Sequence, residues 1–178
     1  MNKSALITGG AKRIGKAIAL NLADKGYNIG IHYNSSEDEA IKTCELISGK
    51  GVKCHTFRYN LENVKQLNTL VSDVKAKLPN CTILINNASL YRESGFKTVS
   101  EMDFDRDFTI NFKSPFFLSQ SFAINMDAEL IINLLDAKIT KNNTKHFVYN
   151  LSKKMLYHFT LMSAHVLAPN VRVNGICL

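Results

Sequence analysis

Short apolar runs alternate with amphipathic stretches along the chain. The short runs are typical of buried strands, whereas the longer stretches repeat apolar residues at helical spacing. Pro115 predicts a break inside the longest helical stretch, and Pro169 ends the last one. The predicted strands are 4–8, 28–33, 52–57, 81–85, 129–133 and 171–176, and the predicted helices are 14–25, 37–48, 64–78, 102–126 and 149–167.

This order of elements predicts an α/β fold: a doubly wound parallel sheet of about six strands, with helices on both faces and right-handed crossovers. The sequence has no evident linker, internal repeat or domain boundary, so we expect one domain over residues 1–178. Such sheets bind ligands where strands end and strand order reverses. The segments expected to carry function are therefore 8–15, 33–36, 58–61, 86–92 and 134–136.

Composition limits the class of protein without naming its function. With 178 residues, 46% hydrophobic and 21% charged, the chain has enough apolar side chains for the core of one globular domain. The formal net charge of +7 would suit anionic partners, but scattered basic residues favour a compositional bias over a nucleic-acid site. No apolar run approaches the roughly 20 residues needed to cross a bilayer, so we expect no membrane partner.

The cysteines and histidines predict neither a disulfide framework nor a metal site. Cys44, Cys54, Cys81 and Cys177 form no C-x-x-C pair, and the five histidines lack metal-ligand spacing. Buried, reduced thiols suit a cytoplasmic protein. We therefore expect a cytoplasmic location and no bound metal.

A glycine-rich turn joins the first strand to the first helix in the segment ITGGAKRIGKAIA. Glycines let a backbone approach a pyrophosphate, and a helix N-terminus supplies amide donors and partial positive charge. The spacing Thr8-Gly9-x-x-x-Arg13-x-Gly15 differs from the G-x-G-x-x-G of many dinucleotide sites. Because Lys12 and Arg13 add cationic donors, nucleotide binding is favoured over a tight turn without a ligand.

The residues after the second strand favour NADP over NAD. A protein selective for NAD usually carries Asp or Glu there to bind the ribose 2′-hydroxyl, whereas this chain has Asn34, Ser35 and Ser36. Their amide and hydroxyl donors, with Arg13 nearby, suit a 2′-phosphate. Ser35 or Ser36 with Glu39 would also cap the following helix, and the two roles are compatible.

Tyr149 and Lys153 form an i, i+4 pair at the start of the last helix, so their side chains share one face. Taken alone, such a pair is most often core packing or surface decoration. Its place downstream of a nucleotide-type turn favours proton donation beside a hydride acceptor. A nearby ammonium favours the phenolate of a tyrosine, whose ordinary pKa is ~10.

Together with further motifs, these residues make the chain resemble a short-chain dehydrogenase/reductase. The motifs are T-G-x-x-x-x-x-G, Asn86-Asn87-Ala88 after strand four, Asn111 in INFKSPFFLSQ, Tyr149-x-x-x-Lys153 and the closing RVNGI. The resemblance covers essentially the whole chain. It implies a Rossmann-type fold, a nicotinamide cofactor and Tyr149 as proton donor. It also implies that Lys153 binds the nicotinamide ribose and lowers the pKa of Tyr149, and that Asn111 supports a proton-relay water.

Three departures from the usual family pattern resemble the pteridine reductases. Arg13 and Ser89 stand where most members have Gly, and Asp136 stands where most have a catalytic Ser. The subgroup pattern implies that Arg13 contacts cofactor phosphate and pterin, that Tyr91 stacks on the substrate, and that Asp136 helps to deliver protons. Reducing C=N bonds requires protons on ring nitrogens, for which a partly buried carboxyl group is a suitable donor. The alternatives are a turn residue for Asp136 and a half-buried loop aromatic for Tyr91.

These motifs define the candidate site. Asn60 stands where the family usually has an Asp that holds the adenine amino group, and its amide oxygen can still accept that bond. The expected catalytic residues are Asn111, Asp136, Tyr149 and Lys153. The expected substrate-binding residues are Arg13, Ser89, Tyr91, Asp136 and Tyr149. The expected NADP-binding residues are Thr8, Gly9, Lys12, Arg13, Ile14, Gly15, Asn34, Ser35, Ser36, Asn60, Leu61, Asn87, Ala88, Ser89, Tyr149 and Lys153.

The resemblance also implies segments that this sequence does not contain. After RVNGI the family continues with a Pro-Gly turn, a substrate-covering loop and helix, a last strand and a final helix. We therefore expect an unprotected sheet edge at strand six and exposed apolar surface beside it. Two hypotheses stay open: an NADPH-dependent reductase of pterin-like substrates, with 3-oxoacyl thioesters as the alternative substrate, or a non-catalytic remnant that keeps nucleotide binding. A homodimer through residues 111–126 and 149–167 is possible by resemblance.

Overall fold

The computed structural model describes residues 3–141 and 144–178, in which strands and helices alternate. The strands are β1 (Ser4–Ile7), β2 (Asn28–Tyr33), β3 (Cys54–Arg58), β4 (Cys81–Asn86), β5 (Leu130–Leu135) and β6 (Arg172–Cys177). The helices are α1 (Arg13–Asp24), α2 (Glu37–Ser48), α3 (Leu67–Lys77), α4 (Glu101–Phe108), α5 (Ser114–Asn125) and α6 (Phe147–Leu167).

All six strands form one parallel sheet in the order β3-β2-β1-β4-β5-β6. The strand order reverses between β1 and β4, so the loops that follow these two strands diverge and leave a crevice. The α/β fold with a doubly wound parallel sheet predicted from the sequence is confirmed.

Apolar side chains cover both faces of the sheet, because successive residues of a strand point to opposite sides. Leu6 of β1 belongs to a cluster that includes Leu70 of α3 and Phe122 of α5. Its neighbour Ile7 belongs to a second cluster, which includes Ala19 of α1 and Ile47 of α2. The central strands are buried on both sides, which explains why they are near-continuous apolar runs in the sequence.

The helix predicted over 102–126 is divided by a π-helical turn at Thr109–Lys113. Pro115 lies in the first turn of α5, where its missing N–H costs no helical hydrogen bond. The break therefore falls just before the proline, and the widened turn belongs to Asn111 and its neighbours.

Cys44 of α2 and Cys54 of β3 are joined by a disulfide, so the expectation of reduced thiols is wrong for this pair. Their spacing matches no motif, and only the packing of α2 beside β3 brings them together. Cys81 is a buried thiol, and burial raises its pKa to about 12. Cys177 is exposed.

β6 forms one edge of the sheet, and Ile176 and Leu178 are partly exposed there. In 3–141 and 144–178, none of the helices is long and apolar enough to cross a membrane. Within the same two ranges, no group of three or more His, Cys, Asp or Glu side chains is placed to hold a metal ion.

Candidate active site

A cleft of about 480 Å³ lies at the carboxyl ends of the strands, where the strand order reverses. Its wall combines the loops after β1, β2, β3 and β4 with Ile110 of the π-helical turn and Tyr149 of α6. Most of the predicted site residues lie on this wall: Gly9, Lys12, Arg13, Ile14, Gly15, Asn34, Ser35, Ser36, Asn60, Leu61, Asn87, Ala88, Ser89, Tyr91 and Tyr149.

The turn between β1 and α1 is braced against the loop after β4. Thr8 Oγ1 accepts hydrogen bonds from the backbone N–H groups of Asn87 and Ala88 at 2.9 and 3.0 Å. Asn87 Nδ2 donates to the carbonyl oxygens of Thr8 and Gly9 at 2.8 and 3.1 Å. A Cβ on Gly15 would collide with the carbonyl oxygen of Gly9, so only glycine permits this close approach. Thr8 is thus a buried brace of the cleft.

The start of α1 has the features of an anion site. Gly9 has φ +61°, which glycine adopts without strain. Arg13 has φ +51°, a left-handed conformation that costs a non-glycine residue about 1 kcal/mol or more. Lys12, at the N-cap, makes no side-chain capping bond, so the first amides of α1 are left for another acceptor. A phosphate group fits this combination of amide donors and cations.

Polar side chains after β2 line the cleft without acting as caps. Ser36 is the N-cap residue of α2, but its side chain makes no capping bond, and the capping role predicted for it is wrong. The acidic residues that follow are paired with cations: Glu37 with Arg58 at 3.4 Å and Glu39 with Lys12 at 3.9 Å. The hydroxyl groups of this loop therefore need no part in starting α2.

Asn60 lines the cleft after β3, and its predicted contact with adenine stays a prediction. Its Oδ1 accepts from the N–H of Glu62 at 3.0 Å, which shapes the turn after β3. An amide oxygen has a second lone pair that a purine amino group could use.

His32 is a cleft residue that the sequence motifs do not include. It is buried under the glycine turn, where Nδ1 accepts from the N–H of Gly9 at 3.3 Å. Nε2 contacts the carbonyl oxygen of Tyr59 at 3.1 Å, so the proton of the neutral ring lies on Nε2. Burial lowers the pKa of His32 to about 4. The only signal in the sequence is a histidine inside the apolar strand NIGIHY.

Tyr149, Asp136 and Lys153 meet at the carboxyl end of β5. The hydroxyl of Tyr149 donates to Asp136 Oδ2 at 2.8 Å, while Asp136 Oδ1 accepts from the N–H of Lys138 at 2.7 Å. Asp136 is therefore both a turn residue and a partner of Tyr149. Lys153 Nζ donates to the carbonyl oxygen of Leu134 at 2.7 Å and lies 5.8 Å from the ring centre of Tyr149.

The pKa of Tyr149 departs from the expectation based on the family. Burial, followed by the hydrogen bond to the Asp136 carboxylate, raises this pKa well above its ordinary value instead of lowering it. The carboxylate of Asp136 adds to the effect of burial because it contacts the hydroxyl directly, whereas the ammonium of Lys153 is bound to a backbone carbonyl. Burial lowers the pKa of Lys153 to about 8, against the opposing charge of Asp136. Tyr149 is thus a protonated hydroxyl in this arrangement.

Asn111 is fully buried in the π-helical turn and clamps the loop after β4. Its Oδ1 accepts from Ser89 Oγ at 3.0 Å and from the N–H of Leu90 at 2.8 Å. Its Nδ2 donates to the carbonyl oxygen of Leu90 at 2.9 Å. These bonds give Asn111 a structural role, and its role in a proton relay stays a prediction.

Tyr91 stands at the mouth of the cleft in a cluster of rings. Its ring stacks on His146 with centroids 4.1 Å apart and planes 17° apart, and it meets the edge of Tyr149 at 4.7 Å. Its hydroxyl accepts from Lys138 Nζ at 3.3 Å. The sequence motifs include neither His146 nor Lys138, because only the fold brings them to Tyr91.

A family model and curated relatives match nearly the whole chain. The family model of the short chain dehydrogenases matches residues 3–178. The 3-oxoacyl-acyl-carrier-protein reductase FabG of Staphylococcus epidermidis is 29% identical over 180 residues, which are 99% of this chain and 74% of that protein. The protein of the same name from Aquifex aeolicus is 29% identical over 98% of this chain and 72% of its own length. The chain thus spans about three quarters of these relatives.

Solved structures match over nearly the whole chain. FolM alternative dihydrofolate reductase 1 from Brucella canis, complexed with NADP, has a TM-score of 0.92 and 34% identity, covering 99% of this chain and 72% of that one. Acetoin dehydrogenase YohF from Salmonella typhimurium has a TM-score of 0.94 and 26% identity, covering 99% and 72%. A blue fluorescent protein from a metagenomic library, in complex with NADPH, has a TM-score of 0.93 and 26% identity, covering 98% and 73%.

Proposed function

The chain belongs to the short chain dehydrogenase family, and from that premise we propose that it is an NADPH-dependent reductase of the C=N bonds of a pterin or dihydropterin. Its membership of the family makes it an oxidoreductase, and the NADP and NADPH complexes among the matching structures support NADP as its cofactor. The observation that carries the pterin proposal is the 2.8 Å contact between the hydroxyl of Tyr149 and the carboxylate of Asp136 beside the ring of Tyr91. The Brucella canis reductase, named for dihydrofolate, supports the same substrate class.

The cleft fits a phosphorylated dinucleotide, which when bound supplies a hydride. Gly9 and Gly15 permit the tight turn that leads into α1, and the first amides of α1 would donate to a pyrophosphate. Arg13 and the polar residues after β2 would hold the 2′-phosphate. Asn60 would accept from the adenine amino group, and Lys153 would bind the nicotinamide ribose.

Tyr149 and Asp136 are suited to protonating a ring nitrogen. Hydride addition to the carbon of a C=N bond leaves a strongly basic nitrogen, which takes a proton even from a hydroxyl whose pKa is raised. Tyr149 holds this proton at neutral pH, and its raised pKa extends the protonated range to more alkaline pH. The ammonium of Lys153 would stabilise the phenolate that remains, and Asp136, with one oxygen on Tyr149, would pass on the replacement proton.

The ring of Tyr91 would stack on the planar rings of the substrate. An aromatic ring at the mouth of the cleft, about half exposed, offers a flat apolar surface to a fused heterocycle. Arg13 lines the same cleft, and its contact with the pterin stays a prediction. Ser89 also lies on the cleft wall and would contact cofactor and substrate.

A 3-oxoacyl thioester is the second candidate substrate. It is favoured by the 29% identity to reductases named for 3-oxoacyl groups. Asp136 argues against this substrate, because a carbonyl oxygen is better served by the neutral hydroxyl donor of a Ser than by a carboxylate acceptor. A pterin is therefore expected to require the carboxylate of Asp136, whereas a 3-oxoacyl thioester would be better served by a hydroxyl donor at the same position.

Oxidation of NADPH tests the proposal directly. The purified protein is mixed with NADPH and with dihydrobiopterin, dihydrofolate or an acetoacetyl thioester, and the loss of NADPH absorbance is followed. Turnover of the pterins supports the proposal, whereas turnover of the thioester alone overturns it. If NADPH raises the melting temperature and no substrate is consumed, the protein binds nucleotide without catalysis.

Two variants test the assigned roles. Asp136→Ala should reduce kcat for a pterin at least a hundredfold and change the Kd for NADPH less than threefold, because Asp136 serves the proton and not the cofactor. Lys153→Ala should weaken NADPH binding and reduce kcat together. Asp127→Ala, which removes an exposed carboxylate at the start of the β5 segment, is the matched control. Equal loss of affinity in the Asp136 and Lys153 variants would contradict these roles.

We also propose a homodimer through α5 and α6. An apolar groove of about 480 Å³ runs between these helices, and Phe116, Ile124, Phe159 and Met162 lie on it. Ile124 and Met162 are exposed there, and exposed apolar side chains grouped in this way often mark an interaction surface.

Family membership supports a cytoplasmic location as a further proposal. The cytoplasm keeps most thiols reduced, so the bond between Cys44 and Cys54 would open there unless it is resistant to reduction. Thiol labelling of the protein in lysates prepared under acid quench would show which state exists.

A further inference from the structure

The residue after Tyr91 is a partly exposed arginine that pairs with a buried carboxylate outside the cleft. Arg92 Nε and Nη2 donate to Asp107 Oδ1 at 2.9 and 2.6 Å, and Nη1 lies 3.1 Å from Asp103 Oδ1. Asp107 is only 1% exposed. A carboxylate buried to this degree is stable only with a cationic partner and good geometry, which Arg92 supplies. Neither residue belongs to the cofactor or proton machinery described above.

Two clamps from one helical face enclose Tyr91. Asp107 holds Arg92 on one side of it, and Asn111 holds Leu90 on the other through both backbone groups. Asp107 and Asn111 are four residues apart at the junction of α4 and the π-helical turn, so they project from the same side of the helix. The residues on each side of Tyr91 are therefore tied to this one segment, Leu90 through its backbone and Arg92 through its guanidinium.

The same loop is fastened to the start of the helix that carries Tyr149. His146 Nδ1 donates to the carbonyl oxygen of Arg92 at 2.9 Å. The N–H of Phe147 donates to the carbonyl oxygen of Ser94 at 2.9 Å, and the N–H of Val148 to Ser94 Oγ at 3.2 Å. These bonds place the His146 ring beneath the ring of Tyr91, which explains their near-parallel stack.

We propose that the ion pair of Arg92 and Asp107 positions the active site by fixing the stacked rings of Tyr91 and His146. Arg92 and Asp107 are positioning residues, since they act on the substrate only through Tyr91. The consequence for a flat substrate rests on the proposed function. Tyr91 is half exposed, and holding its ring before the substrate arrives removes an ordering cost from binding. Loss of the pair should therefore raise KM for the pterin much more than it lowers kcat.

The stack can be observed without substrate or cofactor. Proton NMR of the His146 ring reports the ring current of Tyr91, and His146→Gln identifies its signals. In Arg92→Ala these signals should lose more than half of their upfield shift. Arg106→Ala is the matched control, because it removes a more exposed α4 ion pair, to Glu62 at 2.8 Å, and should leave the signals unchanged.

Arg92→Ala leaves Asp107 buried without its partner, which is destabilising. A second variant therefore tests the inference in case Arg92→Ala does not fold. Arg92→Ala with Asp107→Ala removes both charges and should fold, with the same loss of ring-current shift. Arg92→Lys keeps one charge beside Asp107 and should restore part of the shift. If the double variant keeps the upfield shift of His146, the inference is overturned.

Kinetics of the same variants separate this inference from the proposed function. In the double variant we expect KM for dihydrobiopterin to rise about tenfold, kcat to change less than threefold and KM for NADPH to stay constant. If the wild-type protein reduces no pterin, the proposed function fails while the NMR result still decides the positioning role. A lost stack with an unchanged pterin KM would overturn the link to the substrate.

Discussion

Arg13 adopts a backbone conformation that residues other than glycine disfavour. Its left-handed φ suits glycine, yet the side chain it carries stands at the cleft beside the first amides of α1. Strain of this kind persists where the surrounding structure holds it and clusters at ligand sites.

Arg13→Gly should therefore weaken cofactor binding without loss of stability. We expect KM for NADPH to rise about tenfold, which matches the loss of one charge-assisted hydrogen bond. Relief of strain and the greater freedom of glycine in the unfolded chain offset each other, so the free energy of unfolding should change by less than about 1 kcal/mol. NADH is the control cofactor: a loss of equal size with NADH would show that Arg13 does not recognise the 2′-phosphate.

His32 should make stability fall at acidic pH. Burial holds its pKa at about 4 in the folded protein, below its ordinary value of 6.5, so the unfolded chain binds the additional proton. The folded state is favoured above pH 6.5, and this contribution is lost as the pH falls from 6.5 towards 4. The full effect is on the order of 3 kcal/mol.

Urea unfolding of His32→Asn at pH 7 and pH 5 tests this effect. Asn can accept from the N–H of Gly9 and gains no proton, so its stability should depend less on pH than that of the wild type. His165→Asn, at an exposed position of α6, serves as the control. The same slope in wild type and His32→Asn would show that another group titrates.

The sequence motifs predicted Tyr149 and Asp136 as site residues, but they did not predict the hydrogen bond between them or the raised pKa of Tyr149. In the sequence Tyr149 lies thirteen positions after Asp136, whereas the direct bond between them, which adds to burial in raising the pKa of Tyr149, depends on where β5 ends relative to α6. His32 and His146 belong to no motif, and their functions follow from neighbours distant in the chain.

Among the elements, the segment of α4 and the π-helical turn holds the loop after β4 in place. It supplies Asp107 and Asn111 to the loop that carries Tyr91. Ser100 begins this segment as the N-cap of α4: its Oγ accepts from the N–H of Asp103 at 3.1 Å and donates to Asp103 Oδ2 at 2.8 Å. Ser36, the N-cap of α2, makes no such bond.

The two caps should respond differently to the same change. Ser100→Ala should lower the free energy of unfolding by about 1 kcal/mol, the usual value of a capping bond. Ser36→Ala should lower it by less than half as much and instead raise KM for NADPH, since Ser36 lies on the cleft. Denaturant unfolding and steady-state kinetics measure both quantities. Equal destabilisation would contradict the difference in capping.

For the whole molecule, the exposed groove between α5 and α6 predicts self-association. Met162 is 70% exposed on this groove, and a carboxylate there would be buried without a partner in a dimer. Met162→Asp should therefore convert a dimer to a monomer in sedimentation velocity. Met102→Asp, at a 76% exposed position of α4, should not. A wild-type protein that sediments as a monomer at micromolar concentration would disprove the dimer.

By itself the sequence determined the order of strands and helices, the parallel sheet and the membership of the cleft loops. Apolar periodicity and the glycine turn are local properties, and parallel topology places every strand's carboxyl end at one edge. The tertiary structure alone decided which side chains meet: the bond from Tyr149 to Asp136, the disulfide of Cys44 with Cys54, and the clamps around Tyr91. These contacts join segments far apart in the chain, and their energies depend on distance and burial, which no local pattern encodes.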